Sequence, residues 1–276
     1  MKTWTLVRAV LDDAPADWSP WAEIFAEHGV NGTVQEDLPP SLGGYLYEGV
    51  EVGGLVSALQ EAGAVRVDCE VIEEEDWAIA WRKFFVPRRV GTRFVVRPVW
   101  EPYELAEEDI EIVLDPGQAF GTGDHPTTRL CLTLLEDEVR PGATVADIGC
   151  GSGILAVGAC KLGASSVVGV DCDAASVDAS RENAERNGVT YQVFIGSGFD
   201  PLPLGAYDIV VSNIISAALI RLAPEASERV KGGGAWIVSG VIHQNWAEVL
   251  AAAEQCGFTL EEQQEEGDWI AATFRR

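Results

Sequence analysis

The chain has 276 residues, 47% of them hydrophobic and 23% charged, the proportions of a soluble globular protein holding one large domain or two modest ones. It has no apolar run of about 18 residues, so no membrane span is expected, and Met1 to Arg8 reads as a strand rather than a signal peptide. Six cysteines without CxxC or Cys/His spacing read as reduced thiols of a cytoplasmic protein with no metal site. The net charge of −25 opposes unassisted nucleic-acid binding and favours a basic partner, unless the acidity only aids solubility or suits a saline cytoplasm.

From the N-terminus, residues 3–10 pattern as a strand and 18–28 as a helix with Trp18, Trp21 and Phe25 near one face, ended by His28-Gly29. Val30 to Glu36 and Gly44 to Val50 read as strands around a Pro39-Pro40 turn, Val52 to Ala62 as a helix, and Val65 to Val71 as a strand. The order β-α-β-β-α-β predicts a small ferredoxin-like α+β module over residues 1–70. It carries 3 basic and 12 acidic residues and nothing that looks catalytic, so it is either a docking module for a basic macromolecule or a purely structural domain. Residues 71–90 read as a linker with its own helix, capped by Asp76, lined by Trp77, Trp81, Phe84 and Phe85, and stopped at Pro87.

From Gly91 a second domain is expected to run to residue 276. Phe94 to Val99 and Ile110 to Leu114 read as strands. They are followed by a glycine-rich polar loop, Asp115 to Arg129, which is costly to order unless it folds over something. Pro126 suits the first turn of a helix bearing Leu130, Leu134 and Leu135. Thr127 and Thr128 then fall at its N-terminus, where hydroxyls and free amides hold a carboxylate or merely cap the helix. Ala143 to Ile148 reads as a buried strand, Gly149 to Gly153 as a turn, and the residues to Leu162 as a helix, with a further strand from Val167 to Val170 ending at Asp171.

This strand–glycine turn–helix–strand–acid pattern is half of a nucleotide-type site. Gly149, Gly151 and Gly153 let the backbone approach a ligand. Asp171 sits where a carboxylate accepts from two ribose hydroxyls. Gly151 to Ala156 also fits a dinucleotide fingerprint, but Asp147 would repel a pyrophosphate while it can accept from an ammonium group. An adenosine with a cationic amino-acid end is the better fit.

Downstream, Ala174 to Asn187 reads as a helix, Tyr191 to Ile195 as a strand, and Ile195 to Phe199 as either a flank for an adenine ring or a simple turn. Tyr207 to Ile215 reads as a strand carrying Asn213 at its carboxyl end. There its amide oxygen can accept from an amine and aim the nitrogen lone pair. A helix from Ser216 to Lys231, interrupted at Pro224 and closed by Gly232 to Gly234, is expected next. Then follow a strand from Ala235 to Ser239, a helix from Asn245 to Gln255, and strands over Thr259 to Glu265 and Trp269 to Phe274. Alternation of this kind predicts an α/β domain with a mainly parallel sheet covered on both faces.

The turn DIGCGSGIL resembles motif I of class I methyltransferases. With PGQAFGTGDHPTTR, GVDCD and VVSNII it resembles the PrmA-like bacterial methyltransferases of the eleventh large-subunit ribosomal protein, over nearly the whole chain. The resemblance implies a Rossmann-like, mainly parallel seven-stranded sheet and S-adenosylmethionine as cofactor. It implies methylation of lysine and N-terminal amines on a basic ribosomal protein by a monomer that needs no direct nucleic-acid contact. It further implies that Thr128, Gly149, Asp171 and Asn213 contact the donor, and that Phe120 and the Gly121-Thr122-Gly123 turn form a lid over its methionine end. Asn213-Ile-Ile departs from the Pro-Pro-Tyr continuation of glutamine and adenine methyltransferases. No strong general base is visible; His125 is either a helper in the loop or a structural histidine.

Overall fold

The computed structural model describes residues 3–15, 18–30, 33–37, 39–47, 52–73, 85–115, 121 and 123–276. It divides into two compact units, Met1–Phe84 and Phe85–Arg276. The expected helix behind Asp76 lies almost wholly outside the described residues.

The first unit has the predicted order: β1 (Thr3–Val10), α1 (Ser19–Glu27), β2 (Thr33–Asp37), β3 (Pro40–Tyr47), α2 (Val52–Glu61) and β4 (Arg66–Glu73). Its antiparallel sheet runs β2-β3-β1-β4. Alternate residues Val7, Ala9, Leu42 and Leu46 bury against Phe25 of α1 and Leu55 and Leu59 of α2. Gly44 is required for that contact, because a Cβ there would lie 2.6 Å from Val30 and 3.0 Å from Phe25. The second strand of the hairpin starts earlier than its pattern indicates, with Asp37 pairing Pro40. Proline is tolerated there as the first residue of a strand.

In the second unit, β5 (Arg88–Val90), β6 (Phe94–Pro98) and β7 (Ile110–Leu114) form a three-stranded sheet. Phe94, Val96, Ile112 and Leu114 join one core with Leu132 and Leu135 of α3 (Pro126–Glu138). One side chain of α3 secures the β5–β6 turn. The Glu136 carboxylate accepts from the Thr92 amide and hydroxyl (2.8 and 2.9 Å) and from the Arg93 and Phe94 amides (2.9 and 3.0 Å). Glu136→Ala is therefore expected to cost about 1–3 kcal/mol, with Glu136→Gln intermediate. Chemical denaturation measures this, and an unchanged midpoint for the alanine variant would show the four bonds to be stability-neutral.

The main sheet contains β8 (Thr144–Ile148), β9 (Ser166–Asp171), β10 (Gln192–Ile195), β11 (Tyr207–Asn213), β12 (Val230–Ile242), β13 (Thr259–Glu266) and β14 (Trp269–Arg275). Its order is β10-β9-β8-β11-β12-β14-β13, with only β14 running against its neighbours. The helices are α4 (Ile154–Lys161), α5 (Ala174–Arg186), α6 (Ser216–Arg229) and α7 (His243–Gln255). Both faces of the sheet carry a core, one around Val145, Leu155 and Ile237, the other around Ile148, Leu219 and Trp236. Strand order reverses between β8 and β11, so their carboxyl ends border a crevice.

Two expectations need correction. Gly232 to Gly234 do not close a helix but belong to β12, because the Gly233 amide donates to the Arg276 carbonyl and the Arg276 amide to Gly234. Pro224 does not interrupt α6, which continues to Arg229 and gives up only the bond a Pro224 N–H would have made to Ile220.

Candidate active site at the carboxyl ends of β8, β9 and β11

The glycine turn leaves β8 with left-handed φ values at Gly149 (+82°), Gly151 (+51°) and Gly153 (+78°). The Val170 carbonyl of β9 accepts from the Gly149 and Cys150 amides at 2.8 and 3.0 Å. At the end of β9, Asp171 accepts from the Gly151 amide at 2.9 Å and from the Asp173 amide at 3.0 Å. Asp173 caps α5 through the Ala175 amide. The acid thus fixes the turn's shape while its remaining lone pairs stay available for hydroxyl donors.

These groups line a cavity of about 500 Å³ that also includes Gly196 to Gly198, Asn213, Ile215 and Arg221. Its size and mixed lining suit a nucleoside-sized ligand. A second cavity of about 250 Å³ is lined by His125, Thr127, Asn213, Ile214, Ile215, Gly240 and Trp269. Asn213, Ile214 and Ile215 line both, so Asn213 stands where the two meet. Its Nδ2 donates to Thr128 Oγ1 at 3.4 Å, and its Oδ1 is buried with no partner among the described residues. A buried acceptor left open beside a cavity is suited to a donor that arrives from outside.

The helix α3 begins as predicted at Pro126. His125 is its N-cap, with Nδ1 accepting from the Thr127 amide. The imidazole meets Trp269 edge-on, centroids 4.7 Å apart. Burial, assisted by the Arg129 guanidinium and opposed by Glu266, lowers the histidine pKa, so the ring is neutral at neutral pH. Thr128 is fully buried beneath Asn213. Asp147 is also fully buried and lines neither cavity. Burial, opposed by the Ala156 amide and helped by the Asp171 carboxylate, pushes it up to about 7.

Of the eight expected site residues, Gly149, Gly151, Asp171 and Asn213 line the larger cavity, Thr128 supports Asn213, and Asp147 lies out of the lining. Phe120 and Thr122 lie outside the described residues. Several contributors carry no short sequence signal. Ser152 donates to the Gly121 carbonyl at 2.6 Å and ties the loop to the glycine turn. Arg129 bonds the Asp124 carbonyl and pairs with Glu266, bracing the loop against the β13–β14 hairpin. Trp269 and Gly240 reach the smaller cavity from strands at the far side of the sheet.

The residues present fit an adenosine with a cationic end. Asp171 suits the ribose, glycines admit the backbone's close approach, and nothing in the turn supplies a cation for a pyrophosphate. A family model described as ribosomal protein L11 methyltransferase (PrmA) matches residues 44–276. A ribosomal protein L11 methyltransferase of Pelotomaculum thermopropionicum is 41% identical over 92% of this chain and 93% of its own. One from Caldanaerobacter subterraneus is 44% identical over 78% of this chain and 69% of its own. The crystal structure of a ribosomal protein L11 methylase from Lactobacillus delbrueckii superposes with a TM-score of 0.66 at 33% identity, covering 70% of this chain and 99% of that one. The fold is that of class I methyltransferases, the cofactor is S-adenosylmethionine, and the chain belongs to the ribosomal protein L11 methyltransferase family.

Proposed function

We propose that this protein transfers methyl groups to lysine side-chain and N-terminal amines of ribosomal protein L11. The observation that carries the reading is the open, buried Oδ1 of Asn213 at the junction of the two cavities. S-adenosylmethionine, when bound, supplies a methyl group on an activated sulfonium leaving group. Gly149, Gly151 and Asp171 would hold its adenosine, with Thr128 supporting Asn213 from beneath and Asp147 buried two residues before the glycine turn. The smaller cavity admits the acceptor amine between Trp269, Ile215 and the neutral His125. Apolar walls favour the uncharged amine, whose ordinary pKa of about 10.4 falls on desolvation. Solvent takes the proton, and Asn213 accepts an N–H so that the nitrogen lone pair faces the methyl carbon. Transfer is then mainly a matter of alignment.

The net charge of −25 supports a basic protein partner and disfavours direct nucleic-acid contact. The first unit docks that partner, and the second, whose first strand begins at Arg88 inside the stretch expected as a linker, carries the chemistry. The enzyme acts as a cytoplasmic monomer; no helix among the described residues is long and apolar enough to cross a membrane. The test is transfer of radiolabelled methyl from S-adenosylmethionine to a purified ribosomal-protein mixture, with free nucleosides as a control. A single labelled band at L11, on amines, is expected. Label on another protein or on nucleosides overturns the substrate, and donor binding without any transfer overturns turnover.

A further inference from the structure

We propose that Glu266 is a positioning residue for methyl transfer: through Arg129 it sets the first turn of α3 against the β13–β14 hairpin and so fixes the acceptor side of the site. The inference rests on the assignment of the smaller cavity to the acceptor amine. That cavity takes its walls from two separate elements, His125 and Thr127 at the start of α3 and Trp269 at the start of β14. Glu266 and Trp269 face each other across the turn that closes the hairpin. His125 and Arg129 lie one helical turn apart at the start of α3. Each member of one pair meets a member of the other.

The two contacts differ in what they fix. The His125 and Trp269 rings meet edge-on, a contact that holds a distance but tolerates pivoting. Arg129 forks onto both oxygens of Glu266, Nε donating to Oε2 at 3.2 Å and Nη2 to Oε1, and a planar fork also fixes direction. Its third nitrogen, Nη1, donates to the Asp124 carbonyl, so one guanidinium holds the hairpin and the residue before the helix cap together. The far end of α3 carries a built-in comparison. There Arg275 donates to both oxygens of Glu138 at 3.0 and 2.8 Å, tying α3 to the same hairpin, and neither residue lines the smaller cavity. Both ion pairs are partly exposed, so neither contributes much to stability. Only the pair at Glu266 stands where a small shift of one wall misplaces an amine.

Steady-state transfer from S-adenosylmethionine to ribosomal protein L11, with donor titrations and thermal unfolding on the same full-length preparations, reads this directly. Glu266→Ala is expected to lower kcat/KM for L11 by about tenfold while donor affinity changes by less than about twofold. Glu266→Gln keeps an oxygen for the Arg129 fork and should lose less than about threefold. Glu138→Ala should change kcat/KM by less than about twofold. In an Arg129→Met background, Glu266→Ala should add no further loss. If the Arg129 variant does not fold, the Glu266 and Glu138 variants decide. Wild-type transfer by Glu266→Ala, or an equal loss in Glu138→Ala, overturns the proposal. So does a full Glu266 effect in the Arg129→Met background, which would mean direct contact with the substrate. Loss of donor affinity in place of kcat/KM for L11 overturns the acceptor assignment of the smaller cavity. A wild type that binds donor and methylates no amine of L11 overturns the proposed function instead.

Discussion

Asn213→Ala is expected to reduce methyl transfer by about two to three orders of magnitude while donor affinity falls less than about fivefold. The asymmetry follows from position. Asn213 borders both cavities, and its Oδ1, unpartnered among the described residues, is the atom that the proposed orienting role offers to an incoming amine. On the proposed donor site, Asp171 and the glycine backbone remain when the amide is gone. The Nδ2 bond to Thr128, at 3.4 Å, fixes which way the amide oxygen faces. Thr128→Val should therefore copy part of the defect by freeing that amide to rotate. Asn213→Asp is informative in a different way. It retains an acceptor but adds a charge that holds the acceptor amine protonated, so its residual activity should rise with pH more steeply than the wild type's. Single-turnover transfer and donor-binding titrations on the same preparations separate the two effects. Equal losses in transfer and donor affinity would remove the orienting role from Asn213.

Much of this arrangement was legible before any coordinates, and the reasons are local. The turn after β8 reads clearly because glycines at 149, 151 and 153 meet a backbone demand, φ near +50 to +80°, that other residues meet poorly. Asp171 was legible as a site residue because it ends the next parallel strand, and it lines the larger cavity, whereas its bonds to the Gly151 and Asp173 amides were not legible. The β-α-β-β-α-β unit was legible from alternation alone. What was not legible depends on distant partners. Gly232 to Gly234 look like a helix terminator until the C-terminal Arg276 is seen bonding back to them. Ser152 resembles a turn residue until its hydroxyl is seen holding Gly121, 31 positions earlier in the chain. Trp269 reads as an ordinary strand aromatic, and only the packing of β14 beside β12 brings it against His125. Asp147 was read as a donor contact from its spacing to the glycines, and that spacing does not reveal that the side chain is fully buried outside both cavity linings.

Gly149→Ala should weaken donor binding by at least about tenfold and also slow transfer at saturating donor, unlike the loss at Asn213. The backbone at 149 has φ +82°, so a side chain there costs on the order of 1 kcal/mol before any contact is considered. The added Cβ would then lie 2.3 Å from Cγ2 of Ile214, a contact that forces movement. The backbone of Ile214 is closely approached as well: at Gly240, with φ +86°, an added Cβ would lie 2.3 Å from the Ile214 carbonyl oxygen. Two glycines, one in the turn after β8 and one in β12, thus approach the residue that follows Asn213. On the proposed roles, pressure at 149 distorts the donor turn and, through Ile214, the amide that would aim the acceptor. Gly240→Ala presses on the same residue from the side of the smaller cavity, so it should slow transfer with a smaller loss of donor affinity. Donor-binding titrations, transfer rates at saturating donor and thermal unfolding of both variants test this coupling. If Gly149→Ala folds and binds donor as the wild type does, the turn does not carry the donor. If Gly240→Ala leaves transfer unchanged, Ile214 does not couple the two cavities.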